Sequence, residues 1–540
     1  MIIKEYDILI ENAKIVDGTG SPWYKSDIGI TGDTIKKIGN LKNSYGKYKI
    51  DAIGKVVCPG FIDTHTHFDL APFGFGEFRD PLLKMRLYQG VTTQIAGCCG
   101  NSMAPITEKN KQEWFAQRTS RAIKRSNEAK WLTFKGLFEE LKKQNLGTNY
   151  AYYVGHSTLR FNVLGFRSKK ADNNDIKKMK KLLRRSIEEG AIGLSTGLAY
   201  SPGIFSDTEE LVKLCSVLSD YNAIYASHIR SDTDQFLNAV KEVIEIAEKN
   251  GIPGQIHHVK IRKRNSSKEM IEEFFRIVYE ARKRGVDITM DLYPYIASWL
   301  GVDALMLPSW GREGGIKKTI ERLNDKTLVL KMKEDTSILR HWASEKELEE
   351  DSKNIVIVAA QTCKEFVGKS LFEISKLMEN DPFEAAVKII KMTKTEASAV
   401  YISMKEDDVI QFLKSPLSMI GSDSVPTRMG WSAHPRNNGT FPRILGKYVR
   451  NDGVISLEEA VYKMTGLSAT RFRFDDRGLL KEGLKADIVI FDENKIIDTA
   501  TYLEPFNKPK GIEYVMVNGC ISIEKGEFTG KVNGKILKRK

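Results

Sequence analysis

Eight short strand-like segments, several followed by a stretch of helical periodicity, constrain this chain more than any other feature. They occupy residues 60–65, 91–96, 150–155, 191–195, 223–227, 253–257, 287–292 and 418–423. Strands that alternate with helices run parallel, because each crossover returns the chain to the same end of the sheet. Eight is the count that closes a (β/α)8 TIM barrel, so the expected class is α/β. The helical signal is plain after the fifth segment, where the apolar residues of 234–249 recur at three- and four-residue spacing. Capping pairs Ser206/Glu209 and Ser456/Glu459 suggest two further helix starts.

The two chain ends read differently. Residues 1–58 alternate short apolar runs with Gly and Asn turns, and residues 486–524 repeat that pattern. We expect both ends, 1–58 plus 470–540, to form one small β-sandwich that brackets a barrel over 59–469. About 120 residues separate the seventh and eighth segments, far more than the dozen or so that one crossover needs. That stretch should hold an insertion subdomain, placed at 300–360, with His341 inside it as a structural residue.

Composition narrows the function classes. A chain of 540 residues allows three or four ordinary domains, but one barrel absorbs 250 residues or more. With 41% apolar and 28% charged residues, disordered and coiled-coil readings lose ground. No apolar run approaches the ~20 residues that cross a bilayer, and charge interrupts the first seven residues, so a cytoplasmic protein without membrane contact is expected. Six Cys are too few for a disulfide framework, which leaves each as core filler, metal ligand or nucleophile. The net charge of +13 raises nucleic acid as a partner. Its Lys and Arg cluster on polar helical stretches such as 169–185 without a nucleic-acid motif, so they read as solvated faces.

Chemistry collects at the strand ends. The first segment ends in His65-Thr66-His67, and the period of two turns both imidazoles the same way. Others end in Cys98-Cys99, His156, His228, His257-His258 and Asp423. A lone strand-end His is ordinarily a hydrogen-bonded structural residue, and Gly421-Ser-Asp-Ser alone would read as a turn. However, the C-terminal strand ends of a barrel converge on one mouth, which brings these residues into one site. Two same-facing imidazoles suit Zn2+. Adjacent Cys98 and Cys99 must point apart, as must His257 and His258, so which of each pair faces the metal stays open. His434 lies in a loop and is equally open.

In these segments the chain resembles the amidohydrolase superfamily, and within it the N-acyl-D-amino-acid deacylase (D-aminoacylase) group. The matching stretches include Pro59-Gly-Phe-Ile-Asp-Thr-His-Thr-His, Gly97-Cys-Cys-Gly-Asn-Ser, Gly193-Leu-Ser-Thr-Gly-Leu-Ala-Tyr-Ser-Pro-Gly, Asp291-Leu-Tyr-Pro-Tyr and His434-Pro-Arg-Asn-Asn-Gly. The fourth segment offers no Lys or Glu to bridge two metals, and the deacylase group looks instead to a Cys after the second strand. The resemblance therefore implies one tight Zn2+ site of Cys99, His228 and His258, with His65, His67 and Asp423 around a weaker or unfilled second site. Two positions depart from the group's pattern: Cys98 stands where a small polar residue is usual, and His257 stands where Ser is usual.

What the resemblance implies is zinc-dependent hydrolysis of N-acyl-D-amino acids to a carboxylic acid and a D-amino acid. Metal-activated water would attack the amide, with Asp423 as general base and acid. Lys260, Tyr293 and Arg436 would clamp the substrate carboxylate and Tyr200 would bond near the carbonyl. The rivals are a cyclic-amide hydrolase of the dihydroorotase or hydantoinase kind, a dipeptidase releasing a D-residue, and a non-catalytic nucleic-acid-binding protein. A small-molecule substrate and no nucleic-acid partner are expected.

Overall fold

The structure is a computed structural model describing residues 5–73, 79–119, 129–262, 266–313, 315–340, 344–426 and 434–539. His341 lies outside the described residues. The N-terminal segment forms β1 (Glu5–Ile15), β2 (Tyr24–Thr31), β3 (Thr34–Gly39), β4 (Tyr45–Asp51) and β5 (Val56–Pro59). After Gly60 come β6 (Phe61–Asp63), β7 (Val91–Ala96), β8 (Asn149–Tyr152), its continuation β9 (Val154–Gly155), β10 (Gly193–Gly197), β11 (Ile224–His228), β12 (Gly254–Ile256) and β13 (Ile288–Leu292). Next are β14 (Ala297–Gly301), β15 (Ile355–Ala359), β16 (Ser398–Ile402) and β17 (Ser418–Ile420). The C-terminal segment adds β18 (Ile488–Phe491), β19 (Ile512–Val517), β20 (Cys520–Glu524) and β21 (Glu527–Phe528).

Strands β6 to β13 and β17 pair in parallel and in chain order. Backbone bonds from Thr64 N to Ile420 O (3.3 Å), Asp423 N to His65 O (2.8 Å) and His67 N to Ser424 O (2.8 Å) join the last strand to the first. The result is a ring whose strands are buried apart from His228 at the end of β11, as in β7, whose six residues are all buried. Strands buried on both faces read as continuous apolar or β-branched runs, which is why the segments were visible in the sequence. Their C-terminal ends share one rim.

The two chain ends meet in one nine-stranded sheet of order β21-β20-β19-β18-β5-β1-β2-β3, with β4 on β1. Strand β1 shifts register between Ile10 and Ala13, pairing β4 with its first half and β5 with its second. Ile8, Ile10, Ile28, Ile30, Ile488, Ile490 and Met516 share one core from both ends of the chain. Between β13 and β17 a separate antiparallel sheet, β14-β16-β15, packs helices around its own core, including Leu305, Leu323, Ile357, Phe383 and Ile389. This unit is wider than residues 300–360, because β16 closes its sheet at Ile402.

One local expectation needs correction. The helix Thr208–Ser219 is capped by Asp207, which accepts from Glu210 N, while Ser206 bonds back to Gly203 O. Ser456 does cap Leu457–Met464. On the helix Asn173–Glu188, Lys177, Lys178, Lys181, Arg184 and Arg185 are exposed while Ile176, Met179, Leu183 and Ile187 are buried. No helix among the described residues is long and apolar enough to cross a membrane.

Candidate metal centre

At the rim formed by the strand ends, six side chains converge. Cys99 Sγ lies 3.3 Å from His65 Nε2, 3.7 Å from His228 Nδ1 and 3.5 Å from His258 Nε2, and the last two nitrogens are 2.7 Å apart. On the other side, Asp423 Oδ1 is 3.1 Å from His67 Nε2 and 3.6 Å from His65 Nε2. Cys99 with His228 and His258, His65 with His67 and Cys99, and His65 with His258 and Asp423 each gather ligand atoms within 4.8 Å.

Backbone conformation decides which member of each adjacent pair reaches the rim. Cys99, His258 and Asp423 have φ of 51°, 35° and 49°. A left-handed conformation costs a residue with a side chain roughly 1–3 kcal/mol and survives only where the surroundings over-determine it. Here they do. Gly97 N donates to Asp69 Oδ1, Gly100 N donates to Ser195 Oγ, and Ser195 Oγ donates to Gly97 O, which together fix the Cys98-Cys99 turn. Strand β10 thus brings no candidate ligand but braces the turn that carries Cys99. A Cβ on Gly97 would sit 2.2 Å from Tyr153 O, so no other residue fits there. For His258, the backbone N donates to Asp291 Oδ1 at 2.7 Å.

Asp423 is held between two serines by a network that sequence reasoning missed. Fully buried Arg86 bonds Ser424 Oγ (3.0 Å) and Asn437 O (3.1 Å) and forms an ion pair with Asp63. Asp63 in turn accepts from Ser422 N (2.8 Å), Ser422 Oγ (2.5 Å) and His65 N (3.2 Å). One carboxylate therefore sets the backbone on both sides of the site. Asp63 stands two residues before His65 and was open to suspicion; Arg86, inside an ordinary basic helix, carried no signal.

Burial pushes His65 and His228 down to about 3 and His258 well below the usual imidazole range, so these rings are neutral and keep a lone pair for a cation. Burial likewise pushes the Cys99 thiol up, and only a bound cation would offset that and yield the thiolate. Burial opposes ionisation of Asp423, yet Arg436 and the His67 hydrogen bond outweigh it and hold the carboxyl well below its ordinary value. Neutral imidazoles, a thiol and a carboxylate are the donor set that Zn2+ takes. The fit is good.

Around this cluster, Lys260 Nζ bonds His258 Nδ1 at 2.8 Å and Arg436 Nη1 bonds Asp423 Oδ2 at 2.8 Å. Both cations flank the Tyr293 ring, at 5.9 and 4.8 Å from its centroid. The Tyr200 ring lies tilted against that of His228, 4.6 Å between centroids, and is 38% exposed, the most open of the group. Two other His are elsewhere. His156 begins the helix His156–Leu164 and bonds Glu210 Oε1 at 2.9 Å, and His434 bonds Ala297 O at 2.9 Å. His257 and Cys98 are buried beneath the rim.

A sequence profile of the amidohydrolase family matches residues 49–328 and 404–523. D-aminoacylase of Alcaligenes xylosoxydans xylosoxydans is 33% identical over 539 residues, covering 99% of this chain and 98% of that one. The crystal structure of N-acyl-D-glutamate deacylase from Bordetella bronchiseptica, complexed with zinc and a phosphonate mimic of the tetrahedral intermediate, superposes with a TM-score of 0.81 at 30% identity, over 99% of this chain and 100% of that one. A D-aminoacylase structure concerned with a binuclear metal centre, one-metal activation and second-metal attenuation, gives 0.80 at 30% identity and the same coverage.

Proposed function

Since the chain belongs to the amidohydrolase family, enzymes that hydrolyse carbon–nitrogen bonds other than peptide bonds, we propose that it is a zinc-dependent N-acyl-D-amino-acid deacylase. The observation that carries this reading is the pairing of a Cys99, His228 and His258 donor set with a cationic rim, Lys260 and Arg436 on either side of Tyr293. A hydrolytic centre beside a carboxylate-binding wall suits an acylated amino acid. Preference for the D-configuration is supported by the relatives' activities. We read the closed ring as a (β/α)8 barrel over 59–469 and the nine-stranded sheet as a β-sandwich of 1–58 with 470–540.

Cys99, His228 and His258 would hold the tight ion, and His65, His67 and Asp423 a weaker second one. When bound, Zn2+ supplies Lewis acidity that polarises the scissile carbonyl and brings water's pKa to roughly 7. Asp423 takes the proton of the attacking water at Oδ1, the oxygen that Arg436 leaves free, and returns it to the departing nitrogen. Arg436 keeps that carboxylate ionised between turnovers.

Lys260 has a second state built in. A His258 ring that offers Nε2 as a ligand carries its proton on Nδ1 and cannot accept from the Lys260 ammonium. Lys260 is then released towards the substrate carboxylate. Tyr200, the open edge of the site, bonds the substrate near its carbonyl.

The test is a hydrolysis screen of N-acetyl and N-formyl derivatives of D- and L-amino acids, with several dipeptides and a cyclic amide, with and without Zn2+. Zinc-dependent cleavage of N-acyl-D-amino acids is expected. Turnover of the cyclic amide or the dipeptides alone would replace this reading.

A further inference from the structure

Directly beneath the catalytic rim, Cys98, His257 and His65 bring three ligand atoms within 4.8 Å of one another, and all three residues have no solvent exposure. Their surroundings do not explain them. Among the described residues, neither ring nitrogen of His257 has a hydrogen-bond partner, nor has His65 Nδ1. Cys98 Sγ lies 3.7 Å from Ile95 O. A buried polar group left unsatisfied costs about 1–3 kcal/mol, so two such imidazoles facing a thiol form an arrangement with a missing participant.

The geometry leaves His65 able to serve both levels. Its Nε2 turns to Cys99 and Asp423, which leaves Nδ1 for the inner group, and its ring meets that of His257 edge-on at 4.2 Å between centroids. A negative charge is also at hand. Asp291, fully buried, places Oδ1 3.6 Å from His65 Nδ1 and is held there by Gln255 Nε2 and His258 N. A divalent cation bound to one thiolate, with one carboxylate alongside, is neutralised within the protein, and its binding releases the Cys98 Sγ proton to solvent.

We propose that Cys98, His257 and His65 form an inner site of one sulfur and two imidazole nitrogens for a borderline-to-soft cation of the zinc and cadmium kind, sharing only His65 with the catalytic ligand set. Imidazole with thiolate selects such ions over Mg2+ or Ca2+. Because His65 offers Nδ1 to this site and Nε2 to the outer one, its ring is shared between the two levels.

Titration of the intact protein with Cd2+, followed by thiolate-to-cadmium charge-transfer absorbance and by metal analysis after desalting, tests this independently of hydrolysis. Wild type should bind one more Cd2+ per chain than either Cys98→Ser or His257→Ser, and each variant should lose about half of the absorbance, Cys99 supplying the rest. Equal Cd2+ content in wild type and both variants would overturn the site. So would loss in Cys98→Ser alone, because the ion would then not need His257. If one variant fails to fold, the other still decides, with circular dichroism as the check on folding.

Discussion

Replacing Arg86 by Met removes the cation that neutralises Asp63 and leaves every other contact of that carboxylate in place. Arg86 is 1% exposed and Asp63 is fully buried, so the residual charge has no access to water. Breaking a buried pair in this way costs about 3–5 kcal/mol. At roughly 2.1 cal/mol/K per residue, a chain of 540 residues unfolds with an entropy near 1.1 kcal/mol/K, which converts the loss into a fall in melting midpoint of about 3–4 °C. The double variant Arg86→Met/Asp63→Asn removes both charges and should recover at least half of it. The pH dependence has a definite sign. Burial pushes the Asp63 carboxyl up even against Arg86, so without Arg86 the folded state binds a proton more readily than the unfolded chain. The penalty is therefore full at high pH and shrinks as pH falls towards 5. Differential scanning calorimetry of wild type, Arg86→Met, Asp63→Asn and the double variant at pH 5 and pH 8 measures all of this. A single variant that melts with wild type, or a double variant that melts below it by the sum of two single losses, would refute the view that Arg86 and Asp63 act as one buried unit.

Two further substitutions probe the reacting groups. Asp423→Asn should retain the ion held by Cys99, His228 and His258 while turnover falls by several powers of ten, measured by metal analysis alongside steady-state hydrolysis; an active variant would remove Asp423 from the proton transfer. Lys260→Met should raise KM at least tenfold for free N-acyl amino acids, the loss of about 1.4 kcal/mol or more from a charge-assisted contact, and should change it little for the corresponding amides.

Much of this architecture was legible because its signals are local. Strands buried on both faces write themselves as short apolar runs, and the His65-Thr66-His67 pair is fixed by the two-residue period of a strand. Orientation was harder. That Cys99 and His258, and not their neighbours, reach the rim depends on left-handed backbone at each, imposed by contacts from Ser195 and Asp291 that lie far away in sequence. His156 ends a strand as the candidate ligands do, but Glu210 claims it. The Arg86–Asp63 pair and the reach of the inserted sheet to Ile402 likewise arise from partners distant in sequence, which no short window contains.

The most direct test of a metal-dependent deacylase is its activity as a function of metal content. Protein stripped by a chelator, then titrated with Zn2+ and assayed with an N-acetyl-D-amino acid, should be inactive at the start and gain full activity near one equivalent, with Cys99→Ala failing to recover. Full hydrolysis by the stripped protein, or recovery by Cys99→Ala equal to wild type, would contradict it.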